Sequence, residues 1–205
     1  MVQLSKALIL SSILYAISVV LSTVESALSL IGSGNWLNAQ SIAAMASIAM
    51  ASVSALSLGA LMTAPARRLS RLHYPSLLVI ILGIANLLLV IGLASIFPFP
   101  STLDNIVNGL ASSANVLQLA SQYSLFFALA GFAGLFGIIG TIGLLLALHR
   151  SSRILRQPLI YYGMIAGILC TFIEAISGLS IILLLAPILI IIGARRSLEP
   201  DFKQF

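Results

Sequence analysis

Apolar residues dominate this chain in long blocks, and short polar punctuation separates the blocks. The first block runs from Ala7 to Ile31 and stops at the turn-forming Gly32-Ser33-Gly34-Asn35. The second covers Ser41 to Thr63 and is closed by Pro65 with Arg67, Arg68 and Arg71. The third starts at Ser76, after Pro75, and ends at Pro98 and Pro100. The fourth runs from Ser124 to Leu148 and meets Arg150, Arg153 and Arg156. Each has about the 20 residues that an α-helix needs to cross a hydrocarbon core. The last block, Leu159 to Ala194, is too long for one crossing. As a single helix it would measure about 54 Å at about 1.5 Å per residue, against a core of about 30 Å. A break near Glu174–Gly178 divides it into two spans, the second interrupted by Pro187 and ended by Arg195 and Arg196. A single long, broken helix is the competing arrangement.

The pattern predicts an all-α fold: one polytopic membrane domain over residues 1–205, with six transmembrane helices, or five if the last block does not reverse. The connection from Ser101 to Tyr123 adds an outer amphipathic helix. Its Leu103, Ile106, Val107, Leu110, Ala114 and Leu117 recur at helical spacing opposite Asn108, Ser112 and Asn115. Ser101 or Thr102 can cap it, and Asp104 suits the positive end of its dipole.

Charge fixes the orientation. Ten Lys and Arg stand against five Asp and Glu. With six spans and the N-terminus inside, Lys6, the 67–71 cluster, the 150–156 cluster, Arg195, Arg196 and Lys203 all fall on one side. Positive residues gather on the cytoplasmic side, so both termini are expected there, in the cell membrane. Five spans would put the Arg195–Arg196 pair outside. The same clusters account for the basic composition without nucleic acid. The N-terminal block is too long for a signal-peptide core and is read as an uncleaved first span. Two loops, Arg67–Pro75 and Arg150–Pro158, have the same Arg-to-Pro length and would suit either a duplicated hairpin or inverted halves. Any inner basic loop followed by a helix-starting Pro would look the same.

In lipid, helices associate by close backbone approach and interhelical hydrogen bonds. Ala43, Ser47, Ala51, Ala55, Gly59 and Thr63 form a four-residue ridge of small side chains on the second span, and Gly163, Gly167 and Thr171 a shorter one on the fifth. Gly131, Gly134, Gly137, Gly140 and Gly143 recur every three residues in the fourth. Three residues turn an α-helix by 300°, so this row drifts around the helix; it either meets several neighbours or leaves the segment deformable.

Candidate chemistry is sparse. Glu25 shares a face with Ser11, Tyr15, Ser18, Ser22 and Ser29, and Glu174 with Gly163, Gly167, Cys170 and Ser177. Both acids fall toward the outer ends of their spans, and ionisable groups at such depth mark candidate functional sites. With Asn86 of the third span they are expected to form an intramembrane polar site. Cys170 has no partner for an intrachain disulfide, and His73 and His149 flank the inner loops. The pattern therefore contains no constellation for a metal or cofactor, and none for catalysis. Two function classes remain: a non-catalytic structural or accessory subunit of a larger membrane complex, associated with other membrane subunits or with itself, and a small transporter or channel for protons, cations or an uncharged solute.

Overall fold

The computed structural model describes residues 1–31, 37–66, 70–97, 102, 106, 118 and 121–198. The described residues form six α-helices: α1 Val2–Ile31, α2 Leu37–Ala66, α3 Ser70–Ala94, α4 Ser124–Leu155, α5 Pro158–Ser177 and α6 Leu185–Arg196. A 3₁₀ segment, Ser180–Leu184, leads directly into α6. The first five helices are long and apolar enough to cross a membrane. The expected amphipathic helix over Ser101–Tyr123 lies largely outside the described residues.

The helices overrun the apolar blocks at their polar ends. α3 begins at Ser70 and carries Pro75 inside it. Pro75 is the sixth residue of the helix, past the first four whose donors are unpaired in any helix, so its ring removes one intrahelical bond; one residue on, the Ser76 hydroxyl donates to the His73 carbonyl at 2.8 Å. α4 continues past Arg150 and Arg153 to Leu155. Its stop is set by the residues that follow. Pro158 excludes a helical Gln157, which is extended (φ −117°, ψ 102°), and Arg156 takes the left-handed conformation at φ 52°. Pro158 then serves as the first residue of α5.

The break in the long final block falls at Gly178, left-handed at φ 69°, whose N–H donates to the Glu174 carbonyl at 2.7 Å. Beyond it the chain reverses. A Cβ built on Gly163 comes 2.7 Å from Ile190 Cγ1, and one on Gly193 comes 3.0 Å from Leu159 Cβ and Ile160 Cγ1, so α5 and α6 run antiparallel in close contact. The single-broken-helix alternative is thereby replaced by a hairpin. The returning arm has only 17 residues. Its five-residue 3₁₀ turn rises about 2.0 Å per residue and its helix about 1.5 Å, giving about 28 Å, close to the thickness of a hydrocarbon core.

Each helix packs on its neighbours in sequence, and the 3₁₀–α6 arm returns to α1, closing a six-membered ring. All of these contacts are antiparallel: Ser54 meets Ser11 and Ser47 meets Ser18, Ser52 meets Gly83, and Gly140 and Gly143 meet Leu82 and Leu78. The helix ends bearing Lys6, Arg71, Arg150, Arg153, Arg195 and Arg196 therefore gather at one end, the basic end.

The main core lies toward that end. Leu4, Leu8, Met62, Leu72, Val79 and Ile160 are at most 1% exposed, and with Leu148, Leu155, Ile190 and Ala194 they bring every helix into one apolar cluster. The opposite half divides. One cluster joins Ala44, Leu93 and Ile96 with Tyr123 and Phe126; the other joins Val19, Cys170 and Leu183 with Tyr15.

Candidate functional site

Where the division occurs, polar residues of α1 face α5 and the 3₁₀ segment. Ser22 donates to the Ser180 hydroxyl at 3.3 Å, and Ser26 lies 3.5 Å from the same oxygen. Those contacts hold the returning arm against the half of α1 that carries Glu25. On α5, Gly163 and Gly167 press against α6, and Cys170 packs with Val19 and Leu183. Glu174 is one turn farther along that packing face, beside the break at Gly178.

The carboxyl of Glu174 is thus within electrostatic reach of the Glu25 carboxyl and of the Tyr15 phenol. Both acids are half-buried. Among the described residues neither has a hydrogen-bond donor or basic partner. Among the described residues no three His, Cys, Asp or Glu side chains converge as metal ligands.

Asn86 stands elsewhere. It is half-buried on α3, whose packing partners are α2 and α4, whereas the carboxyls belong to α1 and α5. The ring order separates the three predicted residues into a pair and an outlier. Tyr15 and Ser180 are the members that sequence reasoning did not place in the site. Tyr15 had a signal, because it lies on the Glu25 row; Ser180 had none, because its position depends on the reversal at Gly178.

Most of the α1 row does a different job. The Ser54 hydroxyl donates to the Ser11 carbonyl at 2.7 Å, Ser47 to the Ser18 carbonyl at 3.0 Å, and Ser52 to the Gly83 carbonyl at 2.6 Å. At the basic end Ser5 and Ser197 hydroxyls lie 2.7 Å apart. These serines fasten α1, α2, α3 and α6 to one another rather than line a path. Ser11 and Ser18 are buried beneath α2, which leaves Tyr15, Ser22 and Glu25 on the side of α5 and the returning arm.

The packing residues also sort by position. Ala43, Ser47, Ala55 and Gly59 are buried, while Ala51 and Thr63 are half-buried. Ser47 meets α1, but a Cβ on Gly59 would come 2.9 Å from the Ser76 carbonyl oxygen on α3. Four residues turn a helix by about 400°, so the ridge rotates about 40° per step and passes from one neighbour to the next. In α4, Gly140 and Gly143 admit Leu82 and Leu78, whereas a Cβ on Gly131, Gly134 or Gly137 meets nothing within 4 Å.

No protein-family model, curated protein or solved structure matches the chain.

Proposed function

We propose that this is a non-catalytic multi-pass membrane protein acting as a structural or accessory subunit of a larger membrane assembly, with both termini on the cytoplasmic side. One observation carries this reading: the basic half of the bundle is filled by large apolar side chains from all six helices. Among the described residues the polar groups buried at that end are serine hydroxyls and Gln157, and no charged side chain is buried among them to carry a charged solute across. The serine hydroxyls near the helix contacts are engaged in holding helices together. The clustering of basic residues at one end supports the orientation. Purification from native membranes in a mild detergent tests the proposal. Stoichiometric companion proteins are expected; recovery of the chain alone or only as a homo-oligomer with solute flux in liposomes would overturn it.

The Glu25–Glu174 pair supports a second reading, a small transporter or channel for protons, cations or an uncharged solute. Its corner lies opposite the apolar plug, as a site open to one side does in an alternating-access cycle. Under this reading Glu25→Gln and Glu174→Gln would each change the pH dependence of flux in reconstituted liposomes without lowering the melting temperature. Absence of flux in the unmodified protein would dismiss it.

A further inference from the structure

The seams of the ring are fastened in two ways. From α1 to α4 the helices are joined at the backbone. Ser54 and Ser47 of α2 donate to the Ser11 and Ser18 carbonyls of α1, Ser52 donates to the Gly83 carbonyl of α3, and Gly140 and Gly143 of α4 admit Leu82 and Leu78 of α3. α5 and α6 are joined to each other in the same manner, since a Cβ on Gly163 would come 3.0 Å from the Ala186 carbonyl oxygen. The helices α1–α4 therefore make one packed body and the α5–3₁₀–α6 hairpin another.

Between the two bodies, side chains meet side chains. At the basic end they share the main core: Leu155 of α4, Ile160 of α5 and Ile190 and Ala194 of α6 lie in it with Leu4 and Leu8 of α1. His149 and Tyr161 rings meet edge-on there at 5.7 Å, and the Ser5 and Ser197 hydroxyls lie 2.7 Å apart. The outer end is held more lightly. Cys170 and Leu183 rest on Val19 and Tyr15, and the Ser180 hydroxyl lies 3.3 Å from that of Ser22 and 3.5 Å from that of Ser26. Phe172 and Ile176, on the outer half of α5, are exposed by 68% and 88%. The chain passes between the bodies at Arg156, left-handed at φ 52°, and Gln157, extended at φ −117° and ψ 102°. Hinges are a few element-terminal residues that absorb a change of φ and ψ, and this joint stands at the anchored end.

We propose that the α5–α6 hairpin is a hinged strap: it swings as one body about Arg156–Gln157, and its outer end parts from α1 to uncover the corner of Tyr15, Val19 and Ser22. Lipid is as apolar as a leucine, so it replaces the strap on Val19 and Leu183 with little loss, and the hydroxyl contacts of Ser180 are what the swing breaks. The core at the basic end stays packed throughout. This device is independent of whether the protein serves as a subunit or as a transporter.

The test uses the full-length protein in lipid nanodiscs, with pairs of spin labels at exposed positions in a Cys170→Ala background and distances read by double electron–electron resonance. Ile176 is 19 residues beyond Gln157 and Tyr162 is five beyond it. At about 1.5 Å per residue the arms are about 28 Å and about 8 Å, so any swing displaces position 176 about four times as far as position 162. Labels at Ile176 and Ile91 should give two distances or one broad distribution, while Tyr162 with Tyr74, and Val24 with Ile91, give single narrow ones. A distribution for Ile176–Ile91 as narrow as that for Val24–Ile91 would overturn the proposal. Equal broadening at Tyr162–Tyr74 would overturn it too, because a loosely attached hairpin has no hinge. A second measurement keeps the native Cys170, which is 4% exposed against α1, and follows its reaction with N-ethylmaleimide in detergent. Ser180→Ala should raise the rate about threefold, the factor that an average interhelical hydrogen bond in a membrane is worth. Ser5→Ala, which removes the hydroxyl contact at the anchored end, should leave the rate unchanged. Equal rates in the two variants would overturn the hinge.

Discussion

Single residues in this bundle differ most in whether a neighbour occupies the space beside the backbone. At Gly140 a Cβ would lie 2.6 Å from Leu82 Cα and N, and at Gly59 it would lie 2.9 Å from the Ser76 carbonyl oxygen. Backbone cannot yield as a flexible side chain does, so Gly140→Ala and Gly59→Ala should each cost about 1–3 kcal/mol. Gly134→Ala meets nothing and removes the helix penalty of glycine, so it should be neutral or stabilising by up to about 1 kcal/mol. Melting curves in one detergent compare the three; a lower midpoint for Gly134→Ala than for Gly140→Ala would refute the division of the glycine row. Serine is subtler. Ser54→Ala removes the 2.7 Å bond to the Ser11 carbonyl, and interhelical bonds in membranes average about 0.6 kcal/mol, so a small loss of stability is expected. These distinctions were not legible in the sequence, because five glycines at equal spacing look alike until α3 is laid against only two of them.

At the scale of an element, the α2 ridge and the Gly178 turn show how local pattern and neighbours divide the work. The ridge predicted a buried helix, but its drift means that equivalent alanines are not equally enclosed. Ala55 is 7% exposed and Ala51 is half-buried. Ala55→Leu should therefore lower the melting temperature more than Ala51→Leu; the reverse order would show that the ridge does not rotate between α1 and α3. Gly178 is left-handed, a conformation that costs most residues about 1–2 kcal/mol. Gly178→Val should destabilise the α5–α6 hairpin by about that amount and Gly178→Asn by less, read from the same melting curves. Sequence placed this break within Glu174–Gly178 because a helix of 36 residues has no bilayer to match it. It did not reveal the 3₁₀ segment, which forms as the short returning arm runs along the serines of α1.

For the whole molecule, the ring order determines which predicted site residues can meet. Glu25 and Glu174 share a corner because the α6 arm closes the ring on α1 and draws α5 along with it, while Asn86 remains between α2 and α4. Orientation is testable at this scale. Gln3 and Gln122 are exposed at opposite ends of the bundle. With Cys170 replaced by Ser, a cysteine at position 122 should react with an impermeant thiol reagent in intact cells, and one at position 3 only after permeabilisation. Equal reactivity at both, or reaction at position 3 alone, would reverse the cytoplasmic assignment.

What the chain determines by itself is its solvent, its spans and their alternation. Those follow from one-dimensional quantities: block length against bilayer thickness, and the side on which Lys and Arg fall. Helix faces follow too, since a fixed turn of about 100° per residue puts Ser11, Tyr15, Ser18, Ser22 and Glu25 on one side of α1. Which neighbour each face meets is not a property of periodicity. Lipid and helix are equally apolar solvents for a leucine, so hydrophobicity does not decide that Leu135 is uncovered while Leu148 is buried. Only the tertiary arrangement separates them: backbone approaches at Gly59, Gly140 and Gly163 and hydroxyl-to-carbonyl bonds at Ser47, Ser52 and Ser54 select the partners. That selection sets the helices of Glu25 and Glu174 on the same side of the ring, keeps Asn86 between α2 and α4, and leaves one side of α4 uncovered.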